Sequence, residues 1–165
     1  MARTALLIAT AFLVLSGLAF ASAAPNFSGT WKMDRARSYG LPPDMNITLV
    51  ITQTDDRIEF ETKLIQPNNE RSVKDTYVLD GKEYEFTPQV APNQPQPKGK
   101  RTVTWLPGGG GLQVMELMTT ESPNGPVQSQ TVRKWTISRQ GELVIDMYID
   151  NNNGSFETKR IFIKE

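Results

Sequence analysis

Hydrophobic and polar residues alternate along most of the chain after residue 24. In residues 57–64, for example, Ile58, Phe60 and Leu64 fall on one face, and charged side chains fall on the other. A period of two residues is typical of a half-buried β-strand and not of a helix. The same pattern recurs in residues 47–51, 73–79, 103–105, 112–118, 135–137, 143–149 and 155–164. The pattern therefore predicts nine or ten short strands.

Residue pairs that favour tight reversals separate these segments. They include Asp80-Gly81, Asn124-Gly125, Gln140-Gly141 and Asn153-Gly154. Gly and Asn tolerate the backbone conformations that hairpin turns require, so consecutive strands are expected to run antiparallel. A long antiparallel sheet removes its exposed edges most simply by closing on itself. We predict an all-β fold with a single domain over residues 24–165, an up-and-down β-barrel of about 8–10 strands, with a two-sheet sandwich as the alternative.

The first 23 residues have the pattern of a secretory signal peptide. Arg3 gives a positive start, residues 5–20 are uncharged and mostly apolar, and Ala21 and Ala23 fit the small-residue cleavage rule. We expect cleavage after Ala23 and a periplasmic or secreted protein, without stable insertion in the membrane afterwards. The alternative is an uncleaved anchor, although the apolar run is at the short end for crossing a bilayer.

Composition excludes several kinds of chemistry. The chain has 18 Lys and Arg against 18 Asp and Glu, with no Cys and no His. Balanced charge argues against a nucleic-acid partner. Without Cys and His there is no thiol nucleophile, no imidazole base and no metal site built from those ligands. We therefore expect a protein that is not an enzyme and that carries no cofactor or metal.

One motif resembles a known family. The segment Asn26-Phe-Ser-Gly-Thr-Trp-Lys32 carries Gly29 and Trp31 in the Gly-x-Trp order of the lipocalin and calycin signature. Together with YVLDGKEY and RKWTISRQGELVID, it resembles small exported lipocalin-like proteins of soil bacteria. The resemblance implies that Trp31 plugs the closed end of a barrel and that Arg160 or Lys159, from the last strand, packs over it.

The chain also departs from that family. The second lipocalin signature and the lipocalin disulfide are absent. In fatty-acid-binding proteins two helices lie between the first two strands, whereas residues 34–46 are too few to form both. The ligands of those families are therefore not transferred to this chain.

The predicted inward faces mix apolar, aromatic and charged side chains, as the wall of a binding cavity does. The candidate cavity residues are Phe60, Tyr77, Trp105, Met118, Arg133, Trp135, Met147, Arg160 and Phe162. The leading hypothesis is a barrel that binds a small apolar or amphipathic molecule in its interior. The alternative is a filled barrel that acts as a protein-interaction module of the cell envelope, with an unknown protein partner.

Two interpretations of the inward-facing arginines stay open. Arg160 resembles the arginine of the Arg-x-Tyr terminal strand with which fatty-acid-binding proteins hold a carboxylate, although Phe162 replaces the tyrosine. Arg133 could be a second cation for such a ligand. Alternatively, both arginines form ion pairs with Asp75 and Glu116, which also fall on apolar stripes, because buried charges are usually paired.

Overall fold

The structure is a computed structural model that describes residues 24–88, 96–123 and 125–165. The predicted signal peptide, residues 1–23, lies outside the described residues. Ten β-strands run through the described part of the chain: β1 Gly29–Met33, β2 Asn46–Gln53, β3 Arg57–Gln66, β4 Asn69–Val78, β5 Glu83–Phe86, β6 Lys98–Trp105, β7 Gly111–Thr120, β8 Val127–Ile137, β9 Leu143–Asn151 and β10 Gly154–Lys164.

All ten strands belong to one antiparallel sheet. Its order is β4-β3-β2-β1-β10-β9-β8-β7-β6-β5, so neighbours in sequence pair, and β1 pairs with β10. Only the consecutive strands β4 and β5 are not paired, and they form the two edges. The sheet is a curled half-barrel, which confirms the predicted antiparallel meander over the two-sheet alternative.

The connection between β1 and β2 contains no helix. Residues 34–45 form turns that are tied to β10, because the amide of Tyr39 donates to the carbonyl of Lys159 at 2.9 Å. Ser38 Oγ donates to the carbonyl of Asp34 and accepts from the amide of Ile161. Within residues 24–88, 96–123 and 125–165, no helix is long and apolar enough to cross a membrane.

Trp31 lies in the hydrophobic core, and its role as the plug of a closed barrel end stays a prediction. The Trp31 side chain is buried, and its indole Nε1 donates to the carbonyl oxygen of Phe27 at 2.8 Å. Phe27, Ile58 and Phe162 are fully buried in the same core. An indole N–H that has a partner inside the protein avoids the cost of burying an unpaired donor.

The cation over Trp31 is Lys164, which corrects the expectation of Arg160 or Lys159. Lys164 Nζ lies 5.3 Å from the centre of the Trp31 ring. The register explains the difference, since Trp31 is directly opposite Lys164 on β10, whereas Arg160 lies four residues earlier on that strand. Gly29 leaves room for this lysine, because a Cβ at Gly29 would lie 2.6 Å from Lys164 Cε and the φ of 135° disfavours other residues.

Candidate functional site

A cavity of about 320 Å³ lies inside the curled sheet. Its wall comes from the inward faces of most strands, since alternate residues of each strand point to the same side. Seven of the nine predicted cavity residues line it: Phe60, Tyr77, Met118, Arg133, Trp135, Arg160 and Phe162. The structure brings these residues together, and their contact with a ligand stays a prediction.

The other two predicted residues lie elsewhere. Trp105, at the end of β6, packs against the hydrophobic core and does not line the cavity. Met147 is buried but borders a groove of about 520 Å³ on the outer face, beside Tyr39 and Tyr148. Alternation places both residues on the inward face, but it does not show how far along the barrel the cavity extends.

Aromatic rings form one wall of the cavity. Trp135 lies 5.5 Å from Phe60 and 5.5 Å from Tyr77, measured between ring centres, in edge-to-face arrangements. Phe60 and Tyr77 are themselves 4.7 Å apart. Edge-to-face contacts of this kind fix the rings relative to one another. The result is a largely apolar surface held in a defined shape.

A buried ion-pair network crosses the interior, centred on an arginine that was not among the predicted site residues. Arg101 Nε donates to Glu116 Oε1 at 2.7 Å, and its terminal nitrogens donate to both Asp75 oxygens at 2.9 and 2.6 Å. It also donates to the carbonyl of Thr76 at 3.2 Å. Arg101 and Glu116 are only 7% and 3% exposed, so their pairing is what makes their burial tolerable.

Arg101 also links the edge strand β4 to β6, the neighbour of the other edge strand β5. It belongs to β6, while Asp75 belongs to β4, and no hydrogen-bonded ladder connects β4 with β5. The guanidinium carbon lies 4.0 Å from the Phe86 ring centre and 4.7 Å from that of Tyr77. The signal for Arg101 was present in the sequence, because it shares the two-residue spacing of Val103 and Trp105.

Arg133 completes this network. Its guanidinium donates to the second oxygen of Glu116, so that carboxylate is held between two arginines. Arg133 therefore takes the ion-pair role that was one of its two interpretations. The four groups Asp75, Arg101, Glu116 and Arg133 balance one another in charge.

Arg160 lies outside that balance. It lines the cavity, its Nε is buried without a hydrogen-bond partner, and no carboxylate of the described residues is within ion-pair distance. Burial, together with the smaller effect of the charge of Arg133, lowers the pKa of Arg160 to about 10. The interior thus holds a surplus cation.

Two neutral hydrogen-bond donors line the same cavity as Arg160. Burial raises the pKa of Tyr77 to about 12, so its hydroxyl keeps its proton at neutral pH. The indole Nε1 of Trp135 is buried and has no hydrogen-bond partner. Among the residues described, no group of three His, Cys, Asp or Glu is placed to hold a metal ion. The arrangement is suited to accepting an anion.

Comparison with solved structures identifies the fold. The chain is similar to zebrafish ileal bile acid-binding protein in complex with cholic acid, with 21% identity and a TM-score of 0.51, over 84% of this chain and 98% of that one. It also matches secretory abundant heat soluble protein 4 from Ramazzottius varieornatus, with 14% identity and a TM-score of 0.45, over 84% and 94% of the two chains. No family model and no curated protein matches. The fold is of the fatty-acid-binding-protein type, a calycin fold.

Proposed function

We propose that this protein is an exported, non-enzymatic binding protein whose cavity holds a small, largely apolar molecule with one negative charge. The observation that carries the proposal is Arg160, a cation that has no carboxylate partner among the described residues and lies in a cavity lined by aromatic rings. A buried charge of this kind is costly unless something pairs with it. An anionic ligand would supply the missing partner.

The size and lining of the cavity support a small ligand. Its volume of about 320 Å³ is at the lower end of the range that is typical of small-molecule sites. A chain with the same fold holds cholic acid, which is consistent with a hydrophobic acid as ligand here. The open interior also favours a binding protein over the alternative of a filled barrel that acts only as an interaction module.

Other features support a binding protein that is not an enzyme and that is exported. Both oxygens of Glu116 accept hydrogen bonds from arginines, which leaves that carboxylate occupied and not available for acid–base chemistry. The signal peptide expected over residues 1–23 supports export to the periplasm or the medium. The N-terminal Gly29 and Trp31 support a relationship to the exported lipocalin-like barrels that this motif resembles.

Calorimetric titration with three matched probes tests the proposal. Dodecanoate, 1-dodecanol and dodecylammonium share one hydrocarbon tail and carry a negative, a neutral and a positive head. A charge-assisted hydrogen bond contributes about 1.5–3 kcal/mol, so dodecanoate is expected to bind about 10- to 100-fold more tightly than dodecanol. Dodecylammonium should bind least.

Two variants locate the effect. Arg160→Met should abolish the preference for dodecanoate over dodecanol. Lys159→Met is the matched control, since it makes the same change in charge one residue away, where Lys159 pairs with Asp146 on the outer face. Equal affinity for all three probes, or the same preference in both variants, would contradict the proposal.

A further inference from the structure

We propose that Tyr77 and Trp135 form a second recognition point, which selects ligands that carry a neutral oxygen, a hydroxyl or carbonyl, on their apolar body. This inference rests on the proposed function, because it specifies the ligand that Arg160 would anchor. It adds a requirement that a simple hydrocarbon acid does not meet.

The first observation is an imbalance between donors and acceptors in the cavity. Asp75 and Glu116 are the carboxylates among its lining residues, and Arg101 and Arg133 occupy them. Two buried donors then have no partner in the described structure, Arg160 Nε and the Trp135 indole Nε1, and the Tyr77 hydroxyl makes no hydrogen bond to the described residues. Buried donors normally have partners, so a set of unpaired ones on one cavity wall points to acceptors that arrive with a ligand.

The second observation is the position of the two neutral donors. Tyr77 on β4 and Trp135 on β8 come from distant strands, yet their ring centres are 5.5 Å apart. Both residues line the cavity and are at most 3% exposed. One oxygen atom has two lone pairs and can accept from two donors at once. The two rings are therefore close enough for one ligand to contact both, and the proposal assigns their two donors to a single ligand oxygen.

The distance to Arg160 defines the kind of ligand. Trp135 lies opposite Ile145 on β9, and Ile145 lies opposite Arg160 on β10, so Trp135 and Arg160 stand in one row across the sheet. Two strand spacings correspond to about 10 Å between their backbones. A ligand that uses both points carries a second oxygen, separate from its acidic head, on a body that is otherwise apolar.

The aromatic wall must adjust for this contact to form. Trp135 Nε1 is enclosed in the structure, and the neighbouring Phe60 ring, 5.5 Å away, is only partly buried. The proposal requires that the rings packed on Trp135, which are Phe27, Phe60 and Tyr77, shift enough to expose the indole N–H. Reaching a buried donor in this way favours ligands that pair with it and penalises ligands that leave it unpaired.

The test compares dodecanoate with its positional hydroxy and oxo derivatives, substituted at each carbon from 3 to 12. Calorimetry on the full mature chain should show at least one derivative that binds about 10-fold or more tightly than dodecanoate. Tyr77→Phe and Trp135→Phe, which each remove one donor and keep an aromatic ring, should cancel that gain, expressed as the affinity of the derivative relative to that of dodecanoate in the same variant. Tyr148→Phe and Trp105→Phe, outside the cavity, should retain it.

The outcomes separate the two proposals. If dodecanoate shows no preference over dodecanol, the proposed function fails. If dodecanoate is preferred but no derivative gains affinity, or the gain persists in both cavity variants, the second recognition point is wrong and the first stands. Should Trp135→Phe not fold, Tyr77→Phe alone decides, because it removes a single oxygen atom.

Discussion

Replacing Arg160 with methionine should make the ligand-free protein more stable. Methionine is unbranched like the aliphatic part of arginine and carries no charge, so it replaces that part without the cost of a buried, unpaired cation. Burial lowers the pKa of Arg160 to about 10. A depression of that size corresponds to about 3 kcal/mol by which the fold disfavours the charged side chain.

The sign of this effect follows from proton linkage. The pKa of Arg160 is lower in the folded chain than in the unfolded one, so the unfolded chain holds this proton more tightly. The destabilisation of the folded chain by the charged Arg160 is fully present below pH 10 and decreases as the pH rises above 10. At neutral pH, Arg160→Met should therefore show the whole increase in the free energy of unfolding. We expect an increase of about 1–3 kcal/mol, since Arg160 is only partly buried and solvent reduces the effect of its charge.

Urea unfolding of ligand-free protein at pH 7 measures this gain. The free energy of unfolding should rise in Arg160→Met with an unchanged dependence on urea. Arg133→Met is the matched control, and it should lose about 2 kcal/mol, since it removes an arginine that pairs with the buried Glu116. If both variants lose stability to the same extent, Arg160 has a partner in the ligand-free protein and the reasoning is refuted.

Three further predictions test the interior. Glu116→Gln should lower the free energy of unfolding by about 3 kcal/mol in chemical denaturation, because two arginines lose their shared carboxylate; a loss below 1 kcal/mol would contradict the network. Gly111→Ala should lower it by about 1–3 kcal/mol, since a Cβ there would lie 2.3 Å from the Trp135 carbonyl oxygen, while Gly110→Ala, with no atom within 4 Å, should change it little. In a pH titration followed by tyrosinate absorbance, the part of the signal that the wild type has and Tyr77→Phe lacks should have its midpoint near pH 12. The stability that comes from the neutral phenol should be complete below pH 10 and lost between pH 10 and 12; a midpoint near 10 would place this hydroxyl in solvent.

The strands could be predicted from the sequence because their cause is local. Alternation with a period of two shows which residues share a face, and the structure confirms it in β3, where Ile58 is buried and its neighbours Arg57 and Glu59 are exposed. Turn residues then indicate the order of the hairpins. The fold class follows from these two signals alone.

The site was only partly predictable, because its pairings join residues that are distant in sequence. Asp75 and Arg101 are 26 residues apart and meet across the unpaired edges of the sheet, so no local pattern shows their contact. The same limit explains why the cation over Trp31 was not predicted correctly, since the register of β1 against β10 places Lys164 there. Alternation identified Arg133 and Arg160 as inward residues, but only the structure distinguishes the paired arginine from the unpaired one.

A crystal structure of the protein with dodecanoate tests the central claim most directly. The claim predicts the hydrocarbon tail against Phe60 and Trp135 inside the barrel, with the carboxylate within hydrogen-bond distance of the Arg160 guanidinium. Arg133 and Arg101 should keep their contacts with Glu116. Dodecanoate bound in the outer groove beside Tyr39, or inside with its carboxylate turned away from Arg160, would contradict it.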